Sequence, residues 1–349
     1  MTVHRVAVIE GDGIGPELVA AALTVLDAAG VALDVTPVAA GAAHYAATGS
    51  AISDAGLARC RDAGAVLKGP VGLPGVVRPD GTEGGLLGGV LRGGLDLFAN
   101  VRPVKLWPGV AAPLALEPGA IDYVIVRENT EGLYASRGLG VANAWAASDT
   151  LLMTRPGVER IVRFAFELAR TRDGAPADGV RRVTCVDKAN VLKSFAFFRA
   201  IFDEVAAGHP DVAAEHLHTD AAAQALVMDP AHFDVLVMEN FVGDLLSDLG
   251  GATVGGVGMC GSGNLGTRRA YFEPIHGSSP QLAGTDRANP ISQILAAAML
   301  LDRVGEPDAA GAIRRAVWEA LASGAVRIGR DGCPDRGTAR AVRDIVARL

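Results

Sequence analysis

The chain has 349 residues, half of them apolar, with a mean hydropathy of +0.28 and a formal net charge of −7. That length holds two domains or one large α/β unit with a sizeable core. The acidic balance disfavours a nucleic-acid surface, and no uninterrupted apolar stretch nears the length of a membrane span. Cys60, Cys185, Cys260 and Cys333 lie far apart without a C-x-x-C pair, so they read as reduced cytosolic thiols rather than a disulfide framework or zinc site. The opening MTVHRVAVIE runs straight into a strand with no basic segment and apolar core, so no secretory signal and a cytoplasmic location are expected.

The first strand, RVAVIE, leads into EGDGIGPE at 10–17. Glycines 11, 13 and 15 resemble a nucleotide-binding loop. The dinucleotide fingerprint, however, wants glycine at its first, third and sixth positions and an acid about twenty residues later. Here the sixth position is Pro16, and the strand-like run at 31–38 carries no convincing ribose acid. Pro16 suits the first turn of a helix and Glu17 the positive end of its dipole. A tight strand-to-helix turn without a ligand accounts for the glycines as well, and the residues alone leave both readings open.

Helix PELVAAALTVLDAAG, strand LDVTPVAA, helix DAGLARCRDAG and strand AVLKGPV follow. This alternation predicts an α/β fold on a largely parallel sheet. The middle third opens with a strand at 121–129, and turn signals between β-like runs at 132–154 predict a projecting hairpin arm. Helix PGVERIVRFAFELAR, strand VRRVTCVDK, helix FAFFRAIFDEVAAG and a strand at 232–239 lead into NFVGDLLSDLGGATVGG. After about residue 255 the pattern reads as loops with two helices, at 290–303 and 307–323. Repeats, low-complexity tracts and an obvious linker are absent from the sequence.

Three stretches carry chemistry. In GDLLSDLGG, Asp244 and Asp248 are four apart, so a helix places both carboxylates on one face, where like charges repel unless a cation sits between them. Oxygen-only ligands point to Mg²⁺ or Mn²⁺ rather than zinc; two solvated surface acids would share the spacing. Arg92, Arg102 and Arg127 lie near strand or helix ends, where bidentate carboxylate recognition is found. Each alone also fits a surface arginine, just as Tyr134 alone fits a packing residue and Lys188 a solvated one. FEPIHGSSPQLAGTDRANP, at 272–290, is a long Gly/Pro/Ser-rich loop of the kind that is functional in compact domains.

Taken together, GDGIGPE, LDLFANVRP, VRENTEGLY, VDKANVL, HTDA, GDLLSD and EPIHGSSPQLAG...ANP resemble, nearly end to end and in order, one family. It is that of the metal-dependent decarboxylating dehydrogenases, which includes isopropylmalate, isocitrate, homoisocitrate and tartrate dehydrogenases. The resemblance implies a two-domain α/β isopropylmalate-dehydrogenase-like fold, not a Rossmann fold. Residues 1–98 plus 255–349 would form a large cofactor-binding domain. Residues 99–254 would form a smaller substrate, metal and dimerisation domain that includes the arm at 132–154.

The resemblance also assigns roles. Ile14 in GDGIGPE would lie near the nicotinamide end of NAD, and His276, Gly277, Ser278, Gln281, Leu282 and Asn289 would hold its adenosine end. Arg92, Arg102 and Arg127 would clamp the two malate carboxylates, with Asn190 in support. Asp244 and Asp248, with Asp220 lent by the partner subunit of a homodimer, would hold Mg²⁺ or Mn²⁺. Lys188, also contributed across the dimer, would take the hydroxyl proton, and Tyr134 would protonate C3. With Lys188 neutral the formal charges cancel: three arginines and a divalent cation against three aspartates and a dianionic substrate. NADP-using relatives place Lys-Tyr at Gln281 and Leu282, so NAD is expected, although Arg287 is close in sequence.

Substrate identity is where the chain departs from its relatives. Isocitrate enzymes carry Ser and Asn where this chain has Leu86 and Gly88, homoisocitrate enzymes an arginine at Gly89, and isopropylmalate enzymes Glu and two leucines at Gly85, Gly88 and Gly89. EGGLLGGVLRGG, expected to be helical, holds six glycines, each costing roughly 1 kcal/mol of helix propensity. A helix this bare leaves room for a C3 substituent at least as large as isopropyl. The expected substrate is therefore a 3-alkylmalate. Alternatives are an oxyanion-bearing malate, for which Arg78 is the nearest cation in sequence, homoisocitrate, isocitrate, and tartrate or D-malate. A non-catalytic regulatory subunit is the alternative of another class, but Tyr134, Lys188, Asp220, Asp244 and Asp248 are all present. A bare nucleotide-binding module would need neither the arginines nor the aspartates. No membrane or nucleic-acid partner is expected.

Overall fold

A computed structural model describes residues 3–349. The chain divides into two compact units, Met1–Asp96 with Trp107–Ala115 and Val254–Leu349, and Leu97–Leu106 with Leu116–Thr253.

The first unit begins with β1 (His4–Ile9), α1 (Gly15–Ala28), β2 (Leu33–Pro37), α2 (Ala42–Thr48), α3 (Asp54–Ala63), β3 (Ala65–Lys68) and α4 (Gly88–Gly94). The second contains β4 (Ala99–Lys105), β5 (Asp122–Glu128), β6 (Val141–Ala142), β7 (Ala147–Ser148), α5 (Arg155–Arg170), β8 (Arg182–Asp187) and α6 (Lys193–Ala206). It continues with β9 (Ala213–His218), α7 (Thr219–Met228), β10 (Val235–Met238) and α8 (Asn240–Thr253). The first unit closes with β11 (Gly261–Leu265), β12 (Ala270–Pro274), α9 (Ile291–Val304), α10 (Pro307–Ala322) and α11 (Thr338–Val346).

In the first unit the strand order is β2-β1-β3-β12-β11, parallel except for the β11/β12 pair. In the second it is β4-β5-β10-β8-β9, parallel except for β4/β5. The expected α/β class and largely parallel pairing are therefore present. The reading of 255–290 as loops alone is not: GSGNL and AYFEP form the antiparallel β11/β12 pair. Two glycines in one strand and a proline in the other erased the β-branched signal. β9 was also silent in sequence, because AAEHLH is a polar strand at the end of its sheet order.

Apolar periodicity builds both cores. α9 is buried nearly all round, and Ile294, Ala297 and Leu301 pack with Val6, Val8, Leu67 and Phe272 of the strands. α5 buries one stripe, Val158, Ile161, Val162, Ala165, Phe166 and Ala169, and Thr154 caps its N-terminus by accepting from the Gly157 amide at 3.2 Å. The arm is a two-stranded ribbon, β6/β7, with Trp145 at its tip 95% exposed. All four cysteines are free and buried. Among the described residues no helix is long and apolar enough to cross a membrane.

The EGDGIGPE question has a steric answer. Gly11 and Gly13 have φ of 79° and 57°, and a Cβ on either would overlap a backbone carbonyl oxygen, that of Pro70 or Ser278. A Cβ on Gly15 would likewise overlap the Glu10 carbonyl. The turn is stitched to both neighbours by Asp12 N donating to Pro70 O and Ile14 N to Ser278 O, each at 2.8 Å. The buried Asp12 carboxylate accepts from the amides of Ala42, Ala43 and Gly72 at 2.7–2.9 Å. Gly13→Ala is therefore expected to destabilise the fold by at least about 3 kcal/mol. Gly30→Ala, at φ 75° with open space around it, should cost only about 1–2 kcal/mol. Equal losses for the two variants in chemical unfolding would contradict the close-approach explanation.

Candidate functional site

In the second unit, β5 delivers Arg127 and β4 delivers Arg102, both nearly fully buried, against α8. α8 carries Asp244 and Asp248 one turn apart, as their spacing predicted. Arg127 lies flat on this helix because position 243 is glycine; a Cβ there would come within 2.7 Å of the arginine's own Cβ. Arg127 donates through Nε and Nη2 to Asn240 Oδ1, at 3.0 and 2.8 Å, and through Nη1 to Asp244 Oδ1. Arg102 donates through Nε to Asn100 Oδ1 at 2.8 Å and through Nη1 to Ser247 Oγ at 2.5 Å. The same Nη1 is 3.5 Å from Asp244 and 3.8 Å from Asp248.

Tyr134 completes this group. Its hydroxyl donates to Asp244 Oδ2 at 2.8 Å, and its ring sits beside the Arg127 guanidinium and edge-on to Phe241. The loop that presents it is tied down at each end. Glu128 accepts from the amides of Thr130 and Glu131, Glu131 from the backbone and hydroxyl of Thr154, and Glu239 from the Leu133 amide. Burial, then the Asp244 carboxylate, raises the Tyr134 pKa above its ordinary value. Burial likewise raises that of Asp248, opposed by Arg102.

Lys188 and Asp220 form a second group at the ends of β8 and β9, with Lys188 Nζ donating to Asp220 Oδ1 at 2.6 Å. Buried Asp187 anchors both: Arg199 grips its carboxylate through Nε and Nη2, each at 2.7 Å, and Thr219 donates to its carbonyl. The lysine hydrogen bond holds the Asp220 pKa below the usual carboxylate range. Asn190 is exposed in the turn that follows. Among the described residues no three His, Cys, Asp or Glu side chains gather as a metal cage. The structure thus brings together two of the three expected ligands, Asp244 and Asp248, and leaves Asp220 with Lys188. A pair of partly exposed carboxylates, which offers oxygen ligands alone, fits an incompletely caged Mg²⁺ or Mn²⁺ once the flanking arginines turn to an anionic ligand.

In the first unit, Ile14, His276, Leu282 and Asn289 line one cleft of ≈ 270 Å³ with Val257, Ala288 and Arg330. Glycines 255, 256, 258 and 332 flatten its walls. A Cβ at Gly258 would crowd Asn289 Nδ2 at 3.2 Å, so the cleft depends on that bare backbone. These features fit a flat heteroaromatic ring such as adenine. Burial lowers the His276 pKa and favours the neutral imidazole. Gly277 and Ser278 line a different cleft of ≈ 520 Å³, with Val71, Leu73, Val76, Val77 and Leu86, and Gln281 is exposed and lines neither. The Ser278 side chain is already committed to the Gly72 carbonyl. Sequence reasoning missed the 255–258 segment, whose only signal was clustered glycine, and the 330–333 segment, whose Asp-Gly reads as an ordinary turn.

The expected helix over EGGLLGGVLRGG is only α4, seven residues from Gly88. Gly84 and Gly85 precede it for packing reasons: added Cβ atoms would approach Tyr45 Cε1 to 2.7 Å and Ala42 N to 2.6 Å. They do not create substrate space. Gly88 does have room, since the nearest atoms a Cβ there would meet are those of the Arg92 guanidinium, at 3.7–3.9 Å.

The isocitrate/isopropylmalate dehydrogenase family model matches residues 5–331. The 3-isopropylmalate dehydrogenase of Corynebacterium glutamicum (strain R) is 43% identical over 320 residues, covering 90% of this chain and 92% of its own. That of Clavibacter sepedonicus is 43% identical over 362 residues, covering 98% and 96%. Among solved structures, isocitrate dehydrogenase from Methylococcus capsulatus matches with a TM-score of 0.88 at 38% identity, over 99% of each chain. The chain belongs to the isocitrate/isopropylmalate dehydrogenase family and is a decarboxylating dehydrogenase acting on a CH–OH group.

Proposed function

We propose that the chain oxidatively decarboxylates 3-isopropylmalate or a close 3-alkylmalate with NAD and Mg²⁺ or Mn²⁺. One observation carries this reading: a single carboxylate, Asp244, is shared by Arg102, Arg127 and the Tyr134 hydroxyl on the face that also holds Asp248. That face combines anchors for a carboxylate and a cation with a proton donor. The names of the relatives favour the isopropyl substituent.

When bound, NAD accepts the hydride from C2 and the cation polarises the C2 oxygen and offsets charge as CO₂ leaves. Arg102 and Arg127, with Arg92 of α4, bind the malate carboxylates; Asn100, Ser247 and Asn240 fix their planes beforehand. Asp244 and Asp248 hold the cation. Tyr134 donates its proton to C3, and its raised pKa keeps that proton in place through the neutral range. Lys188 removes the C2 hydroxyl proton.

A second copy of the chain supplies Lys188 and Asp220, making a homodimer with shared sites. The apolar side chains that α7, α8 and the arm expose, Met228, Leu245, Leu139 and Trp145 among them, support that surface. Without a cation at Gln281 the expected cofactor is NAD, and the location is cytoplasmic.

Three measurements test this. Mn²⁺-dependent NADH formation should give a kcat/KM for 3-isopropylmalate at least tenfold above D-malate and isocitrate, and the reverse order would overturn the substrate reading. Mn²⁺ at a hundredfold excess over Kd should stabilise the wild type by about 2.7 kcal/mol; Asp244→Asn should lose most of that, and an undiminished shift would remove Asp244 from the cation site. Lys188→Ala and Tyr134→Phe should each be nearly inactive, yet after subunit exchange an equal mixture should regain about a quarter of wild-type turnover, the fraction of intact sites in random dimers. No recovery in demonstrated heterodimers would sink the shared site.

A further inference from the structure

Tyr271 and Glu273 are two residues apart on β12 and so share one face of their sheet. Neighbouring β3 pairs with it in parallel, Val66 opposite Tyr271, which brings Lys68 abreast of Glu273 with Nζ 2.5 Å from Oε2. Tyr271 is fully buried, and its hydroxyl accepts from Arg92 Nε at 3.3 Å and lies within electrostatic reach of Glu273. Asn264 donates to the other Glu273 oxygen at 3.2 Å. Arg92, Tyr271, Glu273 and Lys68 thus form one row of alternating charge with a neutral phenol inside it, buried at Tyr271 and Lys68 and part-buried at Arg92 and Glu273. A phenylalanine would fill nearly the same space; a buried hydroxyl adds cost unless its hydrogen bonds serve a purpose.

We infer that Tyr271 is a positioning residue for substrate binding: it fixes the plane of the Arg92 guanidinium and separates it from the Glu273 carboxylate. Lys68 pairs with Glu273, so the charge of that carboxylate is answered within the sheet. The inference rests on the assignment of Arg92 to substrate binding in the proposed function.

Steady-state kinetics with 3-isopropylmalate, NAD and Mn²⁺ on the wild type, Tyr271→Phe, Arg92→Ala and the double variant test it. Tyr271→Phe should raise the KM for the malate roughly tenfold, the loss expected for one hydrogen bond to a charged group. Its kcat should stay within about twofold, and the KM for NAD and the Mn²⁺ thermal shift should not move. In the Arg92→Ala background the Phe substitution should add almost nothing, because its effect passes through Arg92. If Tyr271→Phe does not fold, Tyr271→Met, which also lacks the hydroxyl, enters the same cycle. Arg92→Ala raising the malate KM while Tyr271→Phe leaves it unchanged, or effects that add fully, would refute the positioning role alone. An unchanged malate KM in Arg92→Ala would refute the assignment of Arg92 and this inference with it.

Discussion

The Asp244 carboxylate is the constraint on which the second unit's site depends. Its two oxygens serve Arg127 and Arg102 on one side and the Tyr134 hydroxyl on the other. Removing any of these partners would leave a partly buried charge under-compensated, which is far costlier than never building the cluster. The surrounding residues exist to hold that geometry. Gly243 lets Arg127 lie against the helix, Asn240 and Asn100 fix the arginine planes, and the Glu128 and Glu131 carboxylates brace the loop that presents Tyr134. Arg102 and Arg127 balance Asp244 and Asp248, so a divalent cation and a dianionic malate can enter together with no net change in charge.

The first unit meets a different constraint, the close packing of backbone from distant segments. The glycines of the first turn allow Pro70 and Ser278 carbonyls to approach within hydrogen-bonding range, and this places Ile14 on the cleft that His276, Leu282 and Asn289 also line. Asp12 binds the turn to α2 and to Gly72 through hydrogen bonds to its carboxylate. The motif therefore shapes the cleft proposed for the cofactor, but through packing: its glycines make way for other backbone, and one side chain of the turn, Ile14, reaches the cleft.

Features set by local spacing were legible in the sequence. The four-residue interval between Asp244 and Asp248 needs only a helix to become a shared face, and the stripe of α5 needs only its own periodicity. Features set by remote neighbours were not. Gly84 and Gly85 read as open space for a substrate because Ala42 and Tyr45, the atoms that exclude a side chain there, are some forty residues away in the chain. β11 and β12 form a strand pair because β3 supplies the neighbour, not because GSGNL favours extension. Nothing in AYFEP marks Tyr271, because the Arg92 that its hydroxyl meets is 179 residues away in the chain. The role proposed for it depends on that contact and not on the residue type.

The central claim is electrostatic: cation and substrate enter one arginine–aspartate face as a neutral pair, so each must strengthen the other's binding. Reciprocity of linked binding makes this directly measurable. Calorimetric titration of Mn²⁺ into the protein, with and without saturating 3-isopropylmalate and in the absence of NAD so that no turnover occurs, reads the coupling. The expected result is Mn²⁺ binding at least tenfold tighter with the malate present. Equal Mn²⁺ affinity in both titrations would show that the two ligands do not share the Asp244 face.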